Sequence, residues 1–252
     1  MPLVRIAERG GIASVCLDNP PAHAISRRLA SELKSALDGL EEAMPRALLV
    51  TSTGERFFSA GLDLIELYDL ERPDIEAFSQ DFLQVFLRFF RFPAPVVAAV
   101  NGHAIAGGAI LALTADRRLL ARGNHLFGLN EVQVGLPLPG SLFEVVRAAI
   151  GSQHAPEALL EGKNFGADDA LKIGFVHEVV ERSELQARAF ALAERLAQIP
   201  RKAYQRMKEL LHADAEARMA KWLENDPFVE IWFEEETRRA MGAAREKLLK
   251  KK

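Results

Sequence analysis

Two short stretches, Ala47-Leu48-Leu49-Val50-Thr51 and Val96-Val97-Ala98-Ala99-Val100, are apolar at nearly every position and do not alternate. A strand with one wet face alternates polar and apolar residues, whereas a strand buried on both faces does not. These runs predict central strands of a sheet covered on both sides, and Arg117 to Ala121 reads as a third. Helical patterns separate them. Ser26 stands as an N-cap ahead of Leu29, Leu33, Leu37 and Leu40; a Phe-rich segment follows from Asp74 to Phe92, and a short apolar one from Ala109 to Thr114. Strands alternating with helices specify an α/β layered structure. Ahead of it, Val4 to Ala7 and Ile12 to Leu17 flank Arg9-Gly10-Gly11 and predict a hairpin. From Ser183 onward the pattern is helical, with Ser183 and Gln186 spaced as a capping box and Pro200 and Pro227 opening further helices. The expected division is an α/β core over 1–190 and a helical region over 191–252.

Charge and cysteine content exclude several function classes. A net charge of −3 without clustered Lys or Arg argues against a nucleic-acid partner. The basic run Lys247 to Lys252 reads as the end of the last helix. One cysteine, Cys16, rules out a disulfide framework and points to a reducing compartment. The first residues lack a secretory apolar core, and the longest apolar run, Pro93 to Val100, is too short to span a bilayer. The expectation is a soluble, cytoplasmic protein with no membrane partner. No residue set has the spacing of a metal site.

Two glycine-bearing loops invite an anion. One is Phe58-Ser59-Ala60-Gly61-Leu62-Asp63, after the first buried strand; the other is Ala106-Gly107-Gly108, opening the 109–114 helix. Glycine lets backbone N–H groups approach a ligand, and a helix start offers unpaired N–H groups and a favourable dipole. Neither loop is a dinucleotide or nucleotide-phosphate fingerprint. Small residues also serve tight helix–sheet packing, and for each loop alone that is the better reading. Further on, Glu131 lies among Leu129, Val132, Val134 and Leu136, before a Gly/Pro-rich turn. Such neighbours suit a carboxyl whose pKa is raised by burial, or an edge-loop acid beside a turn.

Taken in order, the Ser-Ala-Gly-Leu-Asp loop, the Ala-Gly-Gly helix start, Glu131 and the stretch Gly166-Ala167-Asp168-Asp169-Ala170-Leu171-Lys172-Ile173-Gly174-Phe175-Val176 resemble the crotonase (enoyl-CoA hydratase/isomerase) superfamily over almost the whole chain. The resemblance implies a spiral of ββα turns with a helical C-terminal trimerisation region. It implies an acyl-CoA thioester as partner, coenzyme A being part of the substrate and no separate cofactor being needed. Assembly would be a homotrimer or a dimer of trimers. The backbone N–H groups of Ala60 and Gly107 would hold the thioester oxygen, and Ser59, Ala60, Gly61, Leu62 and Asp63 would border the substrate.

Relatives that hydrate efficiently use two glutamates. One of the two positions is Ile110 here; the other is Glu131. One carboxylate serves poorly for adding water but suffices to take a proton from C2 and return it at C4. "FSAGLDL", "AGGAILALTAD" and "GLNEVQVGL" resemble the Δ3,Δ2-enoyl-CoA isomerase branch, a role in fatty-acid β-oxidation. By that resemblance Glu131 is the catalytic acid/base, and Asn130 beside it is either a substrate-site residue or a cap of its own turn. The alternatives are an enoyl-CoA hydratase or dehydratase and a non-catalytic acyl-CoA-binding trimer. Departures from the family pattern are His23, where Asn is frequent, and Ala106, a conservative replacement for a third glycine. Phe78, Phe82, Phe86, Phe89 and Phe90 read as core rather than as an acyl tunnel. His103 reads as a satisfied histidine, Asp63 as a brace of its own loop, and Asp116 as a helix-end or strand-start contact.

Overall fold

A computed structural model describes residues 1–250. The predicted hairpin is β1 (Val4–Arg9) and β2 (Ile12–Leu17), antiparallel with Val4 opposite Leu17. Helix α1 (Arg27–Ala43) follows, its first turn capped by Ser26, whose Oγ accepts the Leu29 N–H at 3.1 Å. A repeated unit then begins. Strand β3 (Ala47–Ser52) leads to a short β4 (Phe57–Ser59) and on to α2 (Leu64–Leu67) and α3 (Arg72–Arg91). Strand β5 (Val96–Val100) leads to β6 (His103–Ile105) and α4 (Gly107–Leu113). Strand β7 (Arg117–Ala121) leads to β8 (Phe127–Gly128), a 3-10 turn over Glu131–Val134, and α5 (Gly140–Ile150). After these turns come β9 (Asn164–Phe165), α6 (Ala167–Lys172), β10 (Glu178–Val180) and α7 (Leu185–Ala197). The chain ends in α8 (Arg201–Glu224), α9 (Phe228–Trp232) and α10 (Glu235–Leu249). The last two lysines of the terminal basic run lie outside the described residues.

Each ββα turn adds one strand to each of two sheets. The larger has the order β1-β2-β3-β5-β7-β10, the smaller β4-β6-β8-β9. The strands forecast from apolar runs are the centre of the larger sheet, and every residue of β3 and β5 is buried. Their two faces enter different cores. Leu48, Val50, Val96, Ala98 and Val100 join the main core with the α3 phenylalanines, as expected of those rings. Ala47, Leu49, Val97 and Ala99 face the other way and pack on Leu185, Ala189, Leu192 and Ala193 of α7. Alternate side chains of a strand point to opposite faces, so both layers are needed to dry the sheet.

Helix α7 thus belongs to the sheet, and the division expected at 190/191 falls inside it. The capping box does not form. Glu184 holds the N-cap position without a side-chain bond, and Gln186 Nε2 instead donates to Thr51 Oγ1 at 2.9 Å. Reaching across to β3 gives that amide a buried partner, which outweighs a local cap. Among the described residues no helix is long and apolar enough to cross a membrane.

Candidate active site

Strands β4, β6 and β8 run parallel in the smaller sheet. Their C-terminal ends therefore lie along one edge, and the segments leaving that edge are Ala60–Asp63, Ala106–Gly108 and Leu129–Glu131. This edge of a parallel sheet is the general location of ligand sites in α/β proteins. Backbone bonds stitch the three segments together. Ala106 N–H donates to Gly128 O at 2.8 Å, and a Cβ built on Gly61 would lie 3.0 Å from Gly107 N. All three predicted loops are brought to one place.

Within that place the roles differ from the expectation. Ala60 N–H is already committed to Ala22 O at 3.0 Å and is not available to a ligand. Gly61 N–H leans on Ser59 Oγ at 3.3 Å. The next N–H, that of Leu62, meets no acceptor among the described residues, and neither does that of Gly107, the first residue of α4. On these two loops the N–H groups of Leu62 and Gly107 are thus left without an acceptor among the described residues, while that of Ala60 is taken. Beyond Ala60 the loop is held by Ile25, whose N–H donates to Gly61 O and whose C=O accepts Asp63 N–H, a single bridge that leaves the Leu62 N–H unpaired.

Two further expectations change. The Ser59 side chain is fully buried, its Oγ donating to His23 O at 2.8 Å, and so faces the interior rather than a substrate. Ala106 is not a conservative replacement: its φ is +51°, a region where a Cβ strains the backbone. Asp63 braces its own loop, accepting the N–H groups of Ile65 and Glu66 at 3.1 and 3.3 Å. Asn130 does not cap its turn, since its side chain makes no bond there. His23 is buried, Nδ1 accepting from Asn19 N–H and Nε2 donating to Thr53 O at 2.8 Å, and burial holds it neutral by lowering its pKa. His103 accepts the Leu126 N–H at 3.0 Å. Asp116 receives Val96 N–H and the Lys208 ammonium at 2.8 and 2.9 Å, pinning α8 to the sheet.

Glu131 opens the 3-10 turn that follows β8. Part of the residue reaches the surface, but both carboxylate oxygens are shut off from solvent and have no hydrogen-bond partner among the described residues. Burial pushes its pKa up to about 7, opposed only by its own backbone N–H. Among the described residues no neighbouring cation steadies the charged form, so desolvation dominates. Nor does a second carboxylate among them join it: Asp63 is committed to α2, Glu66 pairs with Arg27 at 3.1 Å, and Ile110 is buried in the core. Two clefts of about 270 and 380 Å³ flank α8, and neither is lined by the strand-edge residues. Ligand sites are judged by their polar groups as well as by size, and the strand edge carries a dry carboxyl and unpaired N–H groups on neighbouring segments.

The sequence placed Leu62 only beside the substrate; that its N–H is free while that of Ala60 is taken could not be read there, because Ala22, which takes the Ala60 N–H, is remote in the chain. The signal for Glu131 was its apolar surroundings.

The sequence model of the enoyl-CoA hydratase/isomerase family matches residues 7–250. The enoyl-CoA delta isomerase 1, mitochondrial, of Homo sapiens is 32% identical over 211 residues, covering 83% of this chain and 70% of that protein. The carnitinyl-CoA dehydratase of Escherichia coli (strain K12) is 32% identical over 215 residues, covering 84% of this chain and 81% of that protein. The crystal structure of human mitochondrial delta3-delta2-enoyl-CoA isomerase superposes with a TM-score of 0.94 at 29% identity, covering 99% of both chains.

Proposed function

Because the chain belongs to the enoyl-CoA hydratase/isomerase family, we propose that it moves the double bond of a 3-enoyl-CoA to the 2-trans position, with Glu131 as its single acid/base. The observation that carries this is the solitary, dry carboxyl at the strand edge, with its pKa near 7. A base is most effective when its pKa sits near the working pH. Coenzyme A enters as part of the substrate, and the lone free Cys16 agrees with work in a reducing compartment.

In the proposed reaction the Glu131 carboxylate takes a proton from C2. The C2–H electron pair moves into the C2–C1 bond, and negative charge collects on the thioester oxygen. The N–H groups of Leu62 and Gly107 hold that oxygen; removing one such donor typically lowers the rate about 10²–10³-fold. Neutral Glu131 then returns the proton to C4, and the double bond settles between C2 and C3. Nothing is gained or lost overall. Hydration would need a second group to activate water, and Ile110 stands where hydrating relatives are expected to carry one.

A second reading has one finding in its favour. The carnitinyl-CoA dehydratase is as similar as the isomerase, so elimination of water from a 3-hydroxyacyl-CoA is the alternative. Purified protein mixed with 3-enoyl-CoA should give the ultraviolet absorbance of the conjugated thioester. Water addition to 2-enoyl-CoA without that conjugation would replace the isomerase with the dehydratase reading, and silence on both would leave an acyl-CoA binder. Glu131→Gln should lower isomerisation about 10³-fold or more while acyl-CoA still binds.

A further inference from the structure

The segment carrying Glu131 is held at two glycines by the C-terminal helices. At Gly135 the φ is +79°, and a Cβ there would lie 3.2 Å from both Thr237 Cα and Ala240 Cβ of α10. Thr237, itself buried, donates from Oγ1 to Gly135 O at 3.1 Å. Within the turn, Leu136 N–H returns to Glu131 O at 3.1 Å, so a shift at Gly135 is felt at Glu131. At Gly140 the N–H donates to Asp226 Oδ2 at 2.5 Å, while Asp226 Oδ1 accepts the Phe228 N–H that starts α9. The Trp222 ring lies so close over Gly140 that a Cβ would come within 2.3 Å of it.

We propose that Thr237 and Asp226 are positioning residues for Glu131, and that the C-terminal helices act as a clamp keeping its carboxyl dry and aimed at the strand edge. The resemblance assigns that region to assembly; the clamp gives it a part in the chemistry. The inference rests on Glu131 being the acid/base for its catalytic consequence, though not for its physical one. Among the described residues no charged side chain shapes the titration of Glu131; burial and its own N–H do. Releasing either anchor admits water to the carboxyl, and a hydrated carboxyl titrates like an ordinary one.

The test is a 13C NMR titration of protein labelled at glutamate Cδ, the signal absent from Glu131→Gln identifying Glu131. In Thr237→Val, which keeps the shape and removes the hydroxyl, the Glu131 midpoint should fall by about one pH unit or more. Turnover of 3-enoyl-CoA should drop at least about tenfold in kcat with KM held within about twofold. Thr237→Ser should restore both, and Asp226→Asn, at the other anchor, should behave as Thr237→Val does even if the latter folds poorly. A folded Thr237→Val or Asp226→Asn whose Glu131 titrates as in the wild type, or a Thr237→Ser that fails to restore it, overturns the proposal. The titration decides this whether or not 3-enoyl-CoA is turned over, so failure of the clamp and failure of the isomerase reading are separately visible.

Discussion

Glu131, the proposed acid/base, also bears on stability. In the unfolded chain its carboxyl titrates near 4.5, and in the folded chain near 7. Between these values the folded state holds a proton that the unfolded state has lost, so stability falls as pH rises through this window. Above pH 7 the deficit is constant, and below 4.5 it vanishes. Since each tenfold change in proton affinity is worth about 1.4 kcal/mol, the full deficit is on the order of 3 kcal/mol. Gln carries no charge at either pH. The Tm of Glu131→Gln minus that of the wild type should therefore be more positive at pH 8 than at pH 5, at about 2–4 °C per kcal/mol. Calorimetry at the two pH values measures it; an equal difference at both would mean that the carboxyl is hydrated and its apolar surroundings are irrelevant. The side chain that would carry out the chemistry is thus one the fold holds at a loss, as expected of catalytic groups.

At the level of elements, the site exists because β4, β6 and β8 share an edge, and glycine permits the closest contact there. In the Ala106-Gly107-Gly108 run the glycine that packing demands is Gly108. A Cβ on it would fall 2.2 Å from Ser59 O and 2.7 Å from Ser59 C, which are backbone atoms of β4. On Gly107 the nearest atom would be Ile25 Cδ1, a flexible side-chain tip at 3.2 Å. Gly108→Ala should force α4 away from β4, destabilising the fold by about 1–3 kcal/mol and separating the Leu62 and Gly107 N–H groups. Gly107→Ala should cost clearly less stability. Chemical denaturation of both variants checks the order, and a reversed order would contradict the packing described. These contacts also explain what could be read in advance. The long strands were legible because burial on both faces leaves an unbroken apolar run, as in Val96–Val100. The strands β4, β6, β8 and β9 have two or three residues each, too few for any periodicity, so the sheet that builds the site left no local trace. The loops were found by their glycines and Glu131 by its neighbours. The unpaired N–H at Leu62 was not, because it follows from a contact of Ala60 with Ala22, far away in the chain.

On the scale of the whole molecule, the C-terminal helices have two kinds of surface. Their inner side joins the main core through Ala215 and Met219 of α8, Trp232 of α9 and Met241 of α10, and it is tied down by ionic contacts as well. Lys208 meets Asp116 at 2.9 Å with both side chains largely buried, and Arg218 reaches the buried Glu144 of α5 at 2.8 Å. The outer side of α8 carries Met207, Leu210 and Leu211, exposed by 66, 52 and 79%. Lone apolar residues on a surface are ordinary, but these three are neighbours at helical spacing. An ordinary amphipathic helix turns its apolar residues inward, whereas α8 keeps these three on its outer side in addition to the buried Ala215 and Met219. The family resemblance implies a trimer, and a contact between copies through α8 is the expectation that this exposed patch puts to the test. Leu211→Glu places a charge in this patch and leaves the Lys208–Asp116 and Arg218–Glu144 pairs in place. Light scattering coupled to size exclusion should then show the wild type as a trimer or a multiple of it and the variant shifted towards the monomer, with the helical circular dichroism signal retained. A wild type that elutes as a monomer, or a variant with unchanged mass, would mean that α8 presents its leucines to water and that association, if any, uses another face.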